Sequence, residues 1–122
     1  MAASILVVDD DRTLRELLAL HLRNAGYEVR TAEDGVQGGY GVLQTRPDLI
    51  ISDVHMPHMD GFEFIAAVRS DAEMRSIPVI FLTSGSEEEF QGAELGAVGY
   101  VAKPVRADKL LSLVAEHLHA AL

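Results

Sequence analysis

Apolar runs and helix-patterned stretches alternate five times along this chain, and no other feature restricts its fold as strongly. Ile5-Leu6-Val7-Val8 ends at Asp9; Leu14, Leu17, Leu18 and Ala25 then fall on one helical face, and Gly26 supplies a left-handed stop. Tyr27 to Ala32 alternates apolar with polar, Val36, Tyr40 and Leu43 repeat at helical spacing, and Leu49-Ile50-Ile51 reads as a third strand. Phe64, Ile65 and Val68 mark a third helix and Val79-Ile80-Phe81-Leu82 a fourth strand, after which Ser86 with Glu89 predicts a capping box opening the fourth helix. A short strand over Val98 to Ala102 precedes a helix carrying Leu110, Leu113, Val114 and Leu118.

Such alternation with short connections requires right-handed crossovers and a parallel sheet covered by helices on both faces. Strands one, three and four are continuous apolar runs, as expected where both faces are buried, whereas "YEVRTA" alternates and "GYVAK" is short and mixed. The latter two belong at the edges. The expected fold class is therefore α/β, a flavodoxin-like doubly wound (βα)5 with strand order 2-1-3-4-5, whose ligand crevice lies at the carboxyl ends beside the switch between strands one and three. At 122 residues and 48% hydrophobic, residues 1–122 are expected to form one domain with a core that needs no disulfide or metal staple. No cysteine, secretory leader or bilayer-length apolar run is evident, which predicts a cytoplasmic protein. A formal net charge of −9 with scattered basic residues argues against a nucleic-acid or anionic membrane surface and favours protein partners or small cations.

The residues at the strand exits carry the chemistry. Strand one ends in Asp9-Asp10-Asp11, strand three in Asp53, strand four in Thr83-Ser84 and strand five in Lys103-Pro104. With neighbouring strands about 4.8 Å apart, the carboxylates of Asp9, Asp10 and Asp53 crowd together and repel, each pair by roughly 3 kcal/mol at an effective dielectric of 20. Hard carboxylate oxygens in that arrangement suit Mg²⁺. A divalent ion on one flank and the Lys103 ammonium on the other set up Asp53 as a nucleophile toward a phosphoryl group, with the Thr83 hydroxyl offered to a phosphoryl oxygen.

"ILVVDDD", "IISDVHMPHMDG", "IFLTSGS" and "YVAKPV" match, in order and spacing, the motifs of the response-regulator receiver domains of bacterial two-component signalling. The chain resembles that family from Ser4 to the last helix. The resemblance implies that Asp53 is the phosphoacceptor, that Asp10 and Asp53 ligate Mg²⁺ (or Mn²⁺) through their side chains and Asp9 mainly through a metal-bound water, and that the backbone carbonyl of His55 is a further ligand. It implies that Thr83 and Lys103 contact the phosphoryl group, that Tyr100 changes rotamer when Thr83 moves, and that the Lys103-Pro104 bond is cis. By the same resemblance the phosphoryl donor is a sensor histidine kinase or a histidine phosphotransfer protein, and the face of helix four, strand five and helix five controls an effector or tethered output domain. The domain would be no enzyme in the ordinary sense, but would assist its own phosphoryl transfer and dephosphorylation.

Several features are expected to be quieter. Asp9 to Asp11 also suit a cap on the first helix, and the glutamates at 87 to 89 suit the start of a helix without further role. His21, His55, His58, His117 and His119 lack the spacing of a zinc site. The His55 side chain, two residues past Asp53, is expected to tune the lifetime of an aspartyl phosphate. Gly38, Gly39 and Gly41 weaken the second helix by about 0.8 to 1 kcal/mol each relative to alanine. A haloacid dehalogenase-like phosphohydrolase would place its nucleophile after strand one and add a cap domain. A flavin carrier of the same topology would want a hydroxyl- and glycine-rich loop where this chain has "DDDRTL".

Overall fold

The computed structural model describes residues 2–118. Its elements run β1 (Ser4–Val8), α1 (Arg12–Asn24), β2 (Glu28–Ala32), α2 (Gly35–Gln44), β3 (Leu49–Asp53), α3 (Gly61–Ser70), β4 (Val79–Thr83), α4 (Ser86–Glu94), β5 (Gly99–Ala102) and α5 (Ala107–His117). All strands pair in parallel, in the order β2-β1-β3-β4-β5. This is the doubly wound, flavodoxin-like sheet that the alternation predicts, with the two mixed strands at its edges. His119, at the chain end, lies outside the described residues.

Burial follows strand character. The side chains of β3 and β4 are all buried, because helices cover both faces of the sheet. Ile5, Val7, Ile51, Ile80 and Leu82 face α1 and α5, packing with Leu18, Leu22, Leu110 and Val114. Leu6, Val8, Ile50, Val79 and Phe81 face the other way, toward Val42, Phe64, Ile65 and Val68. In parallel register Asp53 stands beside Leu82, and Thr83 beside Ala102, so the polar exits of the central strands gather at one edge of this double core.

Local signals account for most boundaries. Asp11 caps α1, its side chain accepting from Leu14 N–H, and Gly26 ends the connection to β2 at φ 99°. Asp60 and Glu63 form a reciprocal capping box at α3. The expected box at α4 is absent: the N-cap is Gly85, which has no side chain to cap with, Ser86 is already the first helical residue, and Glu89 instead accepts from the Thr83 hydroxyl. The apolar stripe expected to define α2 points outward. Val36, Tyr40 and Leu43 are exposed, while Gly35, Gly38 and Val42 are the buried positions. A Cβ on Gly38 would lie 3.0 Å from Phe64 Cζ, so α2 buries its glycine face to make room for that ring. Leu17 of α1 is likewise half-exposed rather than part of the core face.

Candidate functional site

β1 and β3 deliver Asp9 and Asp53 to the same point, and both are buried while Asp10 remains exposed. Carboxylate oxygens of Asp9, Asp10 and Asp53 all lie within 4.8 Å of one another. β5 brings Lys103 in from the other side: its Nζ donates to Asp53 Oδ2 at 2.8 Å and stands 3.9 Å from Asp9 Oδ2. The second Asp53 oxygen, Oδ1, accepts from Val54 N–H at 2.8 Å. The Lys103-Pro104 bond is cis, and Lys103 N–H donates to the Thr83 carbonyl at 2.8 Å, tying the ends of β4 and β5 together.

The support beneath Asp53 is a close approach of backbone. Gly61 N–H donates to the Val54 carbonyl, and a Cβ at Gly61 would fall 2.1 Å from the Asp53 carbonyl oxygen. Only glycine fits the first turn of α3 there. Asp9 is steadied differently. Its Oδ1 accepts from Asp11 N–H at 2.8 Å, and the buried Arg15 guanidinium donates to its backbone carbonyl at 2.8 Å.

Electrostatically the cluster is unfinished. Burial, together with the charges of Asp53 and Asp10, raises the Asp9 pKa to about 6 against the opposing pull of Asp11 N–H and Lys103. Burial works against the Lys103 ammonium, but its hydrogen bond to Asp53 and the surrounding carboxylates outweigh that effect and hold its pKa above the usual lysine value. Asp9 Oδ2 is buried and has no hydrogen-bond partner. Three carboxylates facing one ammonium, with one such orphaned oxygen, form a donor set that fits a hard divalent cation.

On the far side of Asp53, Thr83 is fully buried and donates through Oγ1 to Glu89 Oε2 at 3.3 Å. Ser84 donates through both N–H and Oγ–H to Glu88, at 2.8 Å each. The same Glu88 meets His55 Nε2 at 2.5 Å, so the exposed His55 side chain reaches across from the β3–α3 loop rather than turning into the acidic cluster. Glu88 is partly buried, yet the bonds from Ser84 and His55 more than offset this and hold its carboxyl below the usual range. Half-buried Tyr100 on β5 has its phenol pKa raised by burial and then by the charge of Glu89.

The structure thus brings Asp9, Asp10, Asp53 and Lys103 together, with Thr83 and Tyr100 on the neighbouring strands. The readings that it corrects are those of Glu88 and Glu89, which make cross-loop contacts beyond filling a helix start. Arg15 and Gly61 carried no sequence reading at all. A basic residue one turn past an acidic strand exit, and a glycine at the first helical position, were the available signals.

The family model for the response regulator receiver domain matches residues 5–115. The chain belongs to the response-regulator receiver family. It is 37% identical over 112 residues to the DNA-binding dual master transcriptional regulator RpaA of Synechocystis sp., covering 90% of this chain and 46% of that protein. It is 39% identical over 114 residues to response regulator MprA of Mycobacterium sp. strain KMS, covering 92% and 49%. The receiver therefore spans about half the length of these curated relatives. The solved chemotaxis response regulator CheY4 of Vibrio cholerae superposes with a TM-score of 0.91 at 38% identity, over 97% of this chain and 100% of that one. Aspartate phosphorylation and Mg²⁺ are general features of receivers, which act as signalling domains. No helix among the described residues of this receiver is long and apolar enough to cross a membrane.

Proposed function

We propose that Asp53 is the phosphoacceptor of this receiver and takes its phosphoryl group from a phosphohistidine on a sensor histidine kinase or histidine phosphotransfer protein in the cytoplasm. The observation that carries this reading is the pairing of Lys103 Nζ with Asp53 Oδ2 at 2.8 Å, beside the carboxylates of Asp9 and Asp10. A carboxylate oxygen of Asp53 attacks phosphorus, the oxygen–phosphorus bond forms as the phosphorus–nitrogen bond breaks, and the imidazole leaves with the electron pair of the broken bond. Lys103 lowers the cost of negative charge gathering on the phosphoryl oxygens, and Val54 N–H holds the carboxylate in place.

Asp9, Asp10 and Asp53, with the backbone carbonyl of His55, would hold Mg²⁺ or Mn²⁺. Asp9 would act mainly through a metal-bound water. When bound, the ion supplies positive charge against the phosphoryl oxygens and relieves the repulsion between the carboxylates. Thr83 then donates to a phosphoryl oxygen, Tyr100 turns inward, and the surface of α4, β5 and α5 changes its preference for an effector protein or a tethered output domain, without binding nucleic acid itself. The same site assists the later hydrolysis of the aspartyl phosphate.

Incubation with Mg²⁺ and acetyl phosphate, followed by intact mass, tests the reading. One phosphoryl group is expected on the wild type and none on Asp53→Ala. Unchanged uptake by Asp53→Ala would contradict it. The expected influence of His55 on phosphoryl lifetime is checked in the same assay, where a His55→Ala protein with unaltered decay would refute it.

A further inference from the structure

The structure assigns Glu88 and Glu89, consecutive in the first turn of α4, the role of positioning residues that hold the Thr83–Ser84 corner in its phosphoryl-free arrangement. This rests on the reading of Thr83 as a phosphoryl contact. Thr83 is fully buried and its hydroxyl has one proton to donate, and that proton goes to Glu89 Oε2 at 3.3 Å. It can serve Glu89 or a phosphoryl oxygen on Asp53, but not both. Ser84, the next residue, directs its N–H and its hydroxyl to the two oxygens of Glu88 at 2.8 Å each, which folds the corner back onto α4. His55 joins Glu88 from the loop that follows Asp53, so one carboxylate ties together both loops at the mouth of the site.

The two carboxylates thus occupy hydrogen-bond donors beside the place where a new anion would arrive. A phosphoryl group carries nearly two negative charges and competes for those donors through three strong acceptor oxygens. Its arrival breaks the Thr83–Glu89 bond and repels both glutamates. Release of the corner, and with it of the first turn of α4, follows directly from that competition. The strength of the two glutamate contacts therefore sets how far the unphosphorylated protein populates the released arrangement.

The test compares wild type with Glu88→Ala, Glu89→Ala and Glu89→Gln, using Glu87→Ala as a control that removes the same charge from an exposed neighbour. The initial rate of phosphoryl gain from acetyl phosphate is read by intact mass. Glu89→Ala is expected to react about fivefold faster than Glu87→Ala, the equivalent of about 1 kcal/mol for one weakened charged hydrogen bond. Glu89→Gln, which keeps an acceptor, is expected to show a smaller gain. In a Thr83→Ala background the advantage of Glu89→Ala over Glu87→Ala should vanish. In the unphosphorylated variants at positions 88 and 89, the Thr83 and Ser84 amide resonances should move part-way along the line joining free and phosphorylated wild type. Rates equal to the Glu87→Ala control, an advantage that survives in the Thr83→Ala background, or resonance shifts off that line would each overturn the proposal while leaving Asp53 as acceptor. A wild type that gains no phosphoryl group would instead overturn the phosphoacceptor reading and this proposal with it.

Discussion

Asp9 is fully buried, and its Oδ2 is without a partner, next to a second buried carboxylate. Its folded pKa of about 6 lies above its ordinary value of 3.8, so between those pH values the native state holds more protons than the unfolded state. Stability of the metal-free protein should therefore be greatest below about pH 4 as far as Asp9 is concerned, fall by up to about 3 kcal/mol as the pH rises from about 4 through about 6, and level off above that. Denaturant melts in chelator across pH 4 to 8 check this, and Asp9→Asn should flatten the slope. At pH 7, Mg²⁺ should raise the melting temperature of the wild type more than that of Asp9→Asn, which keeps Asp10 and Asp53 but loses one charge of the cluster. The acids and Lys103 were legible in the sequence because each ends an apolar run, and strand order alone brings such ends together. The roles of Glu88 and Glu89 were not. Which way a side chain turns at the start of a helix depends on the donors that the neighbouring loop presents, and spacing does not encode that.

Among the elements, α2 shows most clearly how a hydropathy pattern misleads. Val36, Tyr40 and Leu43 have the right period, yet they are exposed, because the buried face is made of residues small enough to admit Phe64. A face that is buried by being small has no hydrophobic signature. A glycine series tests this reading by thermal or denaturant melts. Gly39 has open space where a Cβ would go, so Gly39→Ala should stabilise by about 0.5 to 1 kcal/mol through helix propensity. Gly38→Ala meets the Phe64 ring and should lose that gain. Gly61→Ala, driven against the Asp53 carbonyl, should destabilise by about 2 kcal/mol or more and, on the proposed reading of Asp53, slow phosphoryl gain as well. Gly39→Ala failing to stabilise, or Gly61→Ala melting like wild type, would contradict the packing described.

At the scale of the whole molecule, the strand order followed from two things that the sequence displays: strict alternation, and the contrast between continuous and mixed apolar strands. The two edge strands were legible as mixed because each leaves part of itself to solvent, as Glu28 and Ala102 do. Strand boundaries were less so. The expected fifth strand begins one residue early, at Val98, whose N–H does bond the Val79 carbonyl although the strand itself opens at Gly99. The central claim about the molecule is that this sheet gathers three carboxylates and one ammonium so that a single one of them, Asp53, reacts. The direct measurement is site localisation. After reaction with acetyl phosphate and Mg²⁺, borohydride reduction converts an aspartyl phosphate to homoserine, and peptide mass spectrometry reads which residue has changed. Homoserine is expected at position 53 alone; homoserine at position 9 or 10, or at none of the three, would contradict the role given to Asp53.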